Sequence, residues 1–359
     1  MPIDSDIRNA IAENGYIKVD EMMRRVLSMS SQSYYRSVKN IGSSGDFITS
    51  PEISQLFGEM VALWALEQWQ KLGSPSQFSL IELGPGQGKL MGDLLRASKV
   101  LPQFLEAAKI FLFEINPHFI KKQQQNLEQF GKDIKWIESF DSLPQLPTII
   151  IANEFFDALP IKQFIKIKDT WFESVLITDP VDGQIKYDRI EVHKNLQMQL
   201  KADHKQAKDG AVIEESVESL EITRVLSKYI FDYRGAALII DYGYNIAAEN
   251  RTRGQYNPTL QAIKNHQYWP IIDTLGEADL TAHVDFNALI KASHEQGISS
   301  FSYFSQREFL LKYGIELRGN MLKQNLLQHE KEIIDRQISR LTSEKGMGEL
   351  FKVLELSQS

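Results

Sequence analysis

The chain has 359 residues, a formal net charge of −7 and 43% hydrophobic side chains, enough apolar material for one large domain or two small ones. The acidic balance gives no electrostatic support to a nucleic-acid partner. The absence of cysteine excludes disulfides, a thiolate nucleophile and cysteine metal sites.

The seven histidines are scattered without a paired ligand spacing, so no metal is expected. Residues 1–10 carry Asp4 and Asp6 and no apolar core, and no apolar run approaches the ~20 residues of a membrane span. The expectation is a soluble, cytoplasmic protein that is not membrane-embedded. Residues 4–29 repeat apolar positions at helical spacing (Ile7, Ile11, then Val19, Met22, Met23, Val26), broken at Gly15, which predicts two short helices. A glycine-rich loop follows, with Asp46 and Thr49 as its polar groups. Ser50-Pro51-Glu52 then reads as a helix start, with a capping hydroxyl, proline in the first turn and an acid. The helix continues to Trp69 on an apolar stripe through Leu56, Phe57, Met60 and Trp64. A polar cradle just ahead of a helix N-terminus is able to close over a cofactor.

Phe78 to Leu83 is a short, mostly apolar run of the kind a buried parallel strand needs. Gly84, Gly86 and Gly88 follow at alternating positions before a helix with Leu90, Met91, Leu94 and Leu95. The spacing is neither the dinucleotide fingerprint, whose third glycine would fall at Lys89, nor a phosphate loop. It resembles the first motif of S-adenosylmethionine-dependent methyltransferases, with Glu82 just inside the strand. Lys109 to Phe113 predicts a second strand ending on Glu114, where a Rossmann-like fold holds ribose hydroxyls; a capping or surface acid is the lesser reading, given the strand end after a glycine turn. Lys135 to Glu138 is a third strand, and Phe140 at its exit is a candidate neighbour of an adenine ring or else a core residue.

Thr148 to Ala152 predicts a fourth strand. Asn153-Glu-Phe-Phe-Asp157 then places an amide, two carboxylates and two aromatics directly after it, on the edge where ligands of open parallel sheets sit. Asn153 joins the cofactor candidates, and Glu154 and Asp157 are the candidate catalytic pair. Lys162 to Ile177 reads as antiparallel strands, 193–210 as a solvated connection, and Glu214 to Phe231 as a helix. Gly235 to Asp241 is another buried strand, with Asp241 either functional or a turn cap. Residues 244–285 show little periodicity and read as a functional loop, with His283 and Asp285 as minor candidates. Helices are predicted from Phe286 and from Gln328, with strands at Ser299 to Phe304 and from Phe351.

Several blocks closely resemble the MidA family of S-adenosylmethionine-dependent methyltransferases. They are Gly45-Asp-Phe-Ile-Thr-Ser-Pro-Glu-Ile-Ser-Gln-Leu-Phe-Gly-Glu59, Glu82-Leu-Gly-Pro-Gly-Gln-Gly-Lys-Leu90 and Asn153-Glu-Phe-Phe-Asp-Ala-Leu-Pro-Ile161. Ile240-Asp-Tyr-Gly243, Thr259-Leu-Gln-Ala262, Asp279-Leu-Thr-Ala-His-Val-Asp-Phe286 and Met347-Gly-Glu-Leu-Phe-Lys-Val353 continue the match in order. The chain departs from the family at Ser33, where glycine is usual, and at Glu214-Glu-Ser-Val217, which lacks the usual proline.

The resemblance implies an α/β, Rossmann-like methyltransferase fold over 76–359, after an N-terminal helical segment at 1–75, with β insertions near 161–210 and 244–285. It implies S-adenosylmethionine as cofactor, at Asp46, Thr49, Glu82, Gly84, Gly86, Gly88, Glu114, Phe140 and Asn153. The family includes a mitochondrial assembly factor of respiratory complex I that methylates an arginine, so a protein acceptor is implied. Glu154 and Asp157 would then pin a protonated guanidinium and take up its proton. A small-molecule methyltransferase and a non-catalytic, cofactor-binding assembly factor are the alternatives.

Overall fold

The computed structural model describes residues 2–30, 32–37, 49–265, 267–273 and 275–358. Its contacts divide the chain into two units, one of residues 1–38, 157–222 and 244–289, the other of residues 39–156, 223–243 and 290–359.

The second unit is built on β1 (Phe78–Leu83), β2 (Ala108–Phe113), β3 (Ile134–Ile137), β4 (Thr148–Asn153), β5 (Gly235–Tyr244), β6 (Ser300–Ser305) and β7 (Phe351–Gln358). Their hydrogen-bonded order is β6-β7-β5-β4-β1-β2-β3. The first five run parallel, and β6 and β7 pair antiparallel at one side. β1 and β4 are buried at every position, which is why they read as continuous apolar runs rather than alternating ones. The chain leaves β1 toward β2 and β3, then returns to lay β4 and β5 on the opposite side. That reversal makes a crevice at the carboxyl ends of β1 and β4, where ligands of such sheets bind.

Register sets what faces the crevice. Leu83 pairs with Phe113 on one side and Ala152 on the other, Phe113 pairs with Ile137, and Asn153 pairs with Ile240. Gly84, Glu114 and Glu154, the residues that follow, therefore leave the sheet at one edge, level with Asp241 in β5.

The helix expected from Ser50 to Trp69 is two helices. Ser50–Ile53 ends at Ser54, whose backbone is extended, and α1 (Gln55–Lys71) begins there. The Ser54 hydroxyl accepts the Leu56 N–H at 3.4 Å, so a local cap outcompetes helix continuation. Phe57, Met60 and Trp64 of α1 pack with Leu90, Met91 and Leu94 of α2 (Lys89–Ala97) over Leu80, Ile149, Ile151 and Leu238. α3 (Pro117–Leu127) is capped by Asn116 Oδ1, which accepts the His118 N–H at 2.8 Å. Helices Gln306–Lys312 and Ile315–Lys323 lay outside the sequence expectations; Phe309, Leu310 and Ile315 anchor them in the same core.

In the first unit, Ile3–Asn14 is a helix ended by Gly15 at φ 82°, and a short strand precedes helix Val19–Arg24. Ile7, Ile11, Met22 and Met23 pack with Leu176, Ile185 and Leu280. Strands Lys162–Ile167, Thr170–Thr178, Ile185–Glu191 and Val212–Glu215 form an antiparallel sheet. Three expectations are corrected here. The connection at 193–210 contains helix Lys194–Asp203, held by buried Leu200 among Phe164, Trp171 and Ile213. Glu214 lies in a strand, not a helix, because its carboxylate is tied to the Thr259 and Leu260 N–H groups. The loop at 244–285 carries a small sheet of Gln261–Lys264, Gln267–Trp269 and Asp279–Thr281, whose strands are too short to show periodicity.

Gly58 sits where α1 meets α2, and a Cβ there would come within 2.5 Å of Asp93 Cβ. Gly58→Val is expected to lower unfolding free energy by ~1–3 kcal/mol in chemical denaturation. An unchanged transition midpoint would show that the two helices are not packed this closely.

Candidate active site

The turn after β1 is built from three left-handed residues, Gly84 at φ 59°, Gly86 at φ 53° and Gly88 at φ 79°, a conformation that costs other L-residues ~1–2 kcal/mol each. The Gly84 N–H donates to the Phe113 carbonyl at 3.0 Å, which ties the turn to β2. A Cβ on Gly84 would come within 3.0 Å of the Phe155 ring, and one on Gly88 within 3.2 Å of Gln123, whereas at Gly86 it would meet only open space. The backbone is thus bare where a ligand would approach it. Gly88 also caps α2.

Two acids flank this turn. Glu82 is 3% exposed. Its Oε2 has no partner among the described residues. Burial, with a smaller contribution from Glu114, pushes its carboxyl up to about 8. Glu114 Oε1 accepts the N–H groups of Ile115 at 2.9 Å and Asn116 at 2.8 Å, and Oε2 accepts Gln123 Nε2 at 3.1 Å. Burial pushes Glu114 up to about 7 despite these bonds.

Gln123 joins the parts. Its Nε2 also donates to the Gly86 carbonyl at 2.7 Å, and its Oε1 accepts Trp136 Nε1 at 2.7 Å. Sequence reasoning missed it; the available signal was an amide on the buried face of an amphipathic helix. Phe140 stacks on Phe113 with ring centroids 4.9 Å apart and planes at 7°, and Phe155 meets Phe113 edge-on at 6.2 Å. Phe113 and Phe155 therefore belong with Phe140, although Phe113 reads in sequence as strand interior.

Asn153 and Glu154 form the exit of β4. The Glu154 N–H donates to the Ile240 carbonyl at 2.9 Å, and the residue adopts φ 51°, a strained conformation for a side chain of this size. Its Oε1 accepts the Ser50 N–H at 3.0 Å and Asn153 Nδ2 at 3.1 Å, so two donors orient the carboxylate. Asn153 Oδ1 is buried and unpartnered among the described residues. Asp241 Oδ2 accepts the Phe156 N–H at 3.1 Å and Oδ1 accepts the Tyr242 N–H at 2.9 Å. It clamps the turn that carries Phe155 and Phe156.

Thr49 precedes helix Ser50–Ile53 and its carbonyl accepts the Glu52 N–H at 2.9 Å. Asp46 lies outside the described residues. Asp157 belongs to the first unit. There its carbonyl accepts the Ala282 N–H at 2.9 Å, and its charge, with that of Asp279, bears on the Tyr35 hydroxyl. It remains a candidate by its place in the chain alone. His283 and Asp285 are also residues of the first unit. Among the described residues no cluster of metal-ligating side chains occurs, and no helix is long and apolar enough to cross a membrane.

The donor and acceptor inventory tests whether a methyl-donor cofactor suits this edge. Glu82 Oε2 and Asn153 Oδ1 are buried oxygens with no hydrogen-bond partner among the described residues, each costly to leave unpaired. The turn beside them leaves open space above Gly86. A ligand bearing hydroxyl and ammonium donors satisfies that inventory, so the residues fit the group.

Comparison with known proteins gives the same direction. Residues 60–304 match a family model described as "Putative S-adenosyl-L-methionine-dependent methyltransferase". A Xenopus laevis relative named protein arginine methyltransferase NDUFAF7, mitochondrial, is 32% identical over 95% of this chain and 81% of its own length. The Drosophila melanogaster homolog of that name is 32% identical over 98% and 83%. A Burkholderia thailandensis crystal structure bound to S-adenosyl-homocysteine superposes with a TM-score of 0.87 at 26% identity, covering 99% of this chain and 92% of that one. The cytoplasmic expectation is overturned by these relatives, which are named as mitochondrial. Composition and missing apolar spans do not encode a compartment.

The two acids give a pH dependence. In the folded protein their carboxyls titrate near 8 and 7, above the usual 4.5. The native state therefore holds protons that the unfolded chain has released, and stability falls as pH rises from about 4.5 toward 8. Glu82→Gln is expected to match the parent near pH 4.5 and to exceed it by roughly 2–4 kcal/mol at pH 8. Parallel stability–pH curves would contradict the raised carboxyl.

Proposed function

The chain belongs to this family of S-adenosyl-L-methionine-dependent methyltransferases, and from that premise we propose that its acceptor is an arginine side chain of a protein. The names of the relatives support arginine, and a subunit of respiratory complex I, or a related protein, is the partner that the MidA resemblance implies. When bound, the cofactor supplies an electrophilic methyl group, so the protein's task is to place a nucleophile in line and manage charge.

We assign the cofactor to the edge formed by Gly84, Gly86, Gly88, Glu82, Glu114 and Asn153, with Thr49 beside the entry and the Phe113–Phe140 stack as the apolar wall for a base. The observation that carries this is the pair of buried oxygens, unpartnered among the described residues, next to the glycine turn. Glu154 is assigned to the acceptor. A guanidinium stays protonated in water, with pKa above about 12, and presents N–H groups in a plane that a carboxylate can grip. The Ser50 N–H and Asn153 Nδ2 hold the Glu154 carboxylate in one orientation, and the strained backbone fixes where it starts. Glu154 then positions the guanidinium and accepts the proton it loses.

Two experiments test this reading. Incubation with methyl-labelled S-adenosylmethionine and a cell lysate is expected to label a protein on arginine. Label in the small-molecule fraction, or none, would replace the arginine reading with a small-acceptor or a non-catalytic one. Glu154→Gln preserves both oriented bonds at Oε1, so S-adenosylhomocysteine binding is expected to stay near normal while turnover falls by roughly 10²–10⁴-fold. Undiminished turnover removes Glu154 from the mechanism.

A further inference from the structure

Arg251, in the first unit, is only 4% exposed, an uncommon place for a guanidinium. Its NH2 group donates to Asp285 Oδ2 at 2.7 Å and to the Tyr244 hydroxyl at 3.0 Å, and its Cζ lies 4.7 Å from the Tyr244 ring centroid. These contacts balance its charge. Its Nε–H is buried and has no partner among the described residues. The guanidinium borders a cavity of about 190 Å³, also lined by Glu214, Asn257, Thr259 and His283. That is far more than the ~10–15 Å³ one water needs.

The wall selects by charge. Glu214 is already taken up: Oε1 accepts Gln163 Nε2 at 3.0 Å and the Leu260 N–H at 3.1 Å, while Oε2 accepts the Thr259 N–H at 2.9 Å and its hydroxyl at 2.5 Å. An incoming anion meets Glu214 and finds Arg251 already paired with Asp285, and an incoming cation meets Arg251. Burial holds His283 below its usual value, so its ring adds no charge near neutrality. A neutral group that offers an acceptor to Arg251 Nε–H and donors to the wall fits both conditions. Asn257 supplies the wall acceptor, since its Nδ2 is turned to the Gly254 carbonyl at 3.2 Å and no donor among the described residues reaches its Oδ1.

We propose that this cavity is a binding pocket for a primary carboxamide, with its oxygen on Arg251 Nε and its NH2 group on Asn257 Oδ1. The shared chemistry is that of a glutamine or asparagine side chain, in a polypeptide or as the free amino acid. The pocket is assigned independently of the methyl-transfer reading.

Calorimetric titration of the full chain tests it with N-acetyl-L-glutamine methylamide, the corresponding glutamate and lysine derivatives, and free L-glutamine. Saturable binding of the glutamine derivative is expected, with the charged derivatives about tenfold or more weaker. Preference for the blocked form points to a polypeptide side chain, and preference for free L-glutamine to a metabolite; either supports the pocket. Arg251→Lys keeps the charge beside Asp285 but lacks the Nε–H, and is expected to lose binding by about tenfold or more. Asn257→Ala, an exposed substitution, is expected to weaken it by about three- to tenfold. An unchanged thermal unfolding profile, with retained S-adenosylhomocysteine binding in the same samples, reports that each variant is folded. No saturable binding, equal binding of the neutral and charged probes, or a complex showing only water in the cavity overturns the proposal.

Discussion

The register of the parallel sheet is the constraint from which the rest follows. Because Leu83 is paired at once with Phe113 and Ala152, and Asn153 with Ile240, β1, β2 and β4 release the chain at one level beside β5. A slip of one residue in any pair would turn buried side chains to the opposite face, and strands buried on both sides leave little tolerance for that. The glycine turn, Glu114, Glu154 and Asp241 are thus neighbours by backbone hydrogen bonding, before any side-chain contact is considered.

On that edge the molecule carries costs that folding alone does not recover. Among the described residues Glu82 Oε2 and Asn153 Oδ1 are buried and unpaired, and Glu154 adopts a left-handed backbone. Such local violations concentrate where a ligand completes the structure. Other polar groups near that edge are fully used: Asn116 Oδ1 caps α3, and Asp241 accepts the Phe156 N–H with one oxygen and the Tyr242 N–H with the other. The contrast separates residues that hold the fold from residues kept for a ligand.

Much of this edge was legible in the sequence. Phe78 to Leu83 and Thr148 to Ala152 announce themselves because strands buried on both faces cannot hide their composition. Alternating glycines announce a turn that only glycine makes comfortably. What was not legible depends on partners distant in the chain. Ser54 breaks a helix because its hydroxyl finds a nearby N–H, Glu214 lies in a strand because Thr259 and Leu260 need an acceptor, and Gln123 becomes a hub only when β2, β3 and the glycine turn surround it. Asp157 shows the converse. Three positions from Glu154, it falls in the other unit, because proximity in sequence ends where a strand exit changes direction. The helix at Lys194–Asp203 escaped because Leu200 is its only fully buried side chain.

A crystal structure of this chain with S-adenosylhomocysteine tests the central claim most directly. The account places the ligand across Gly84–Gly88, its ribose hydroxyls on Glu114, and donors on the unpaired oxygens of Glu82 and Asn153. Density for the ligand elsewhere, or those two oxygens still without donors in the complex, would contradict it.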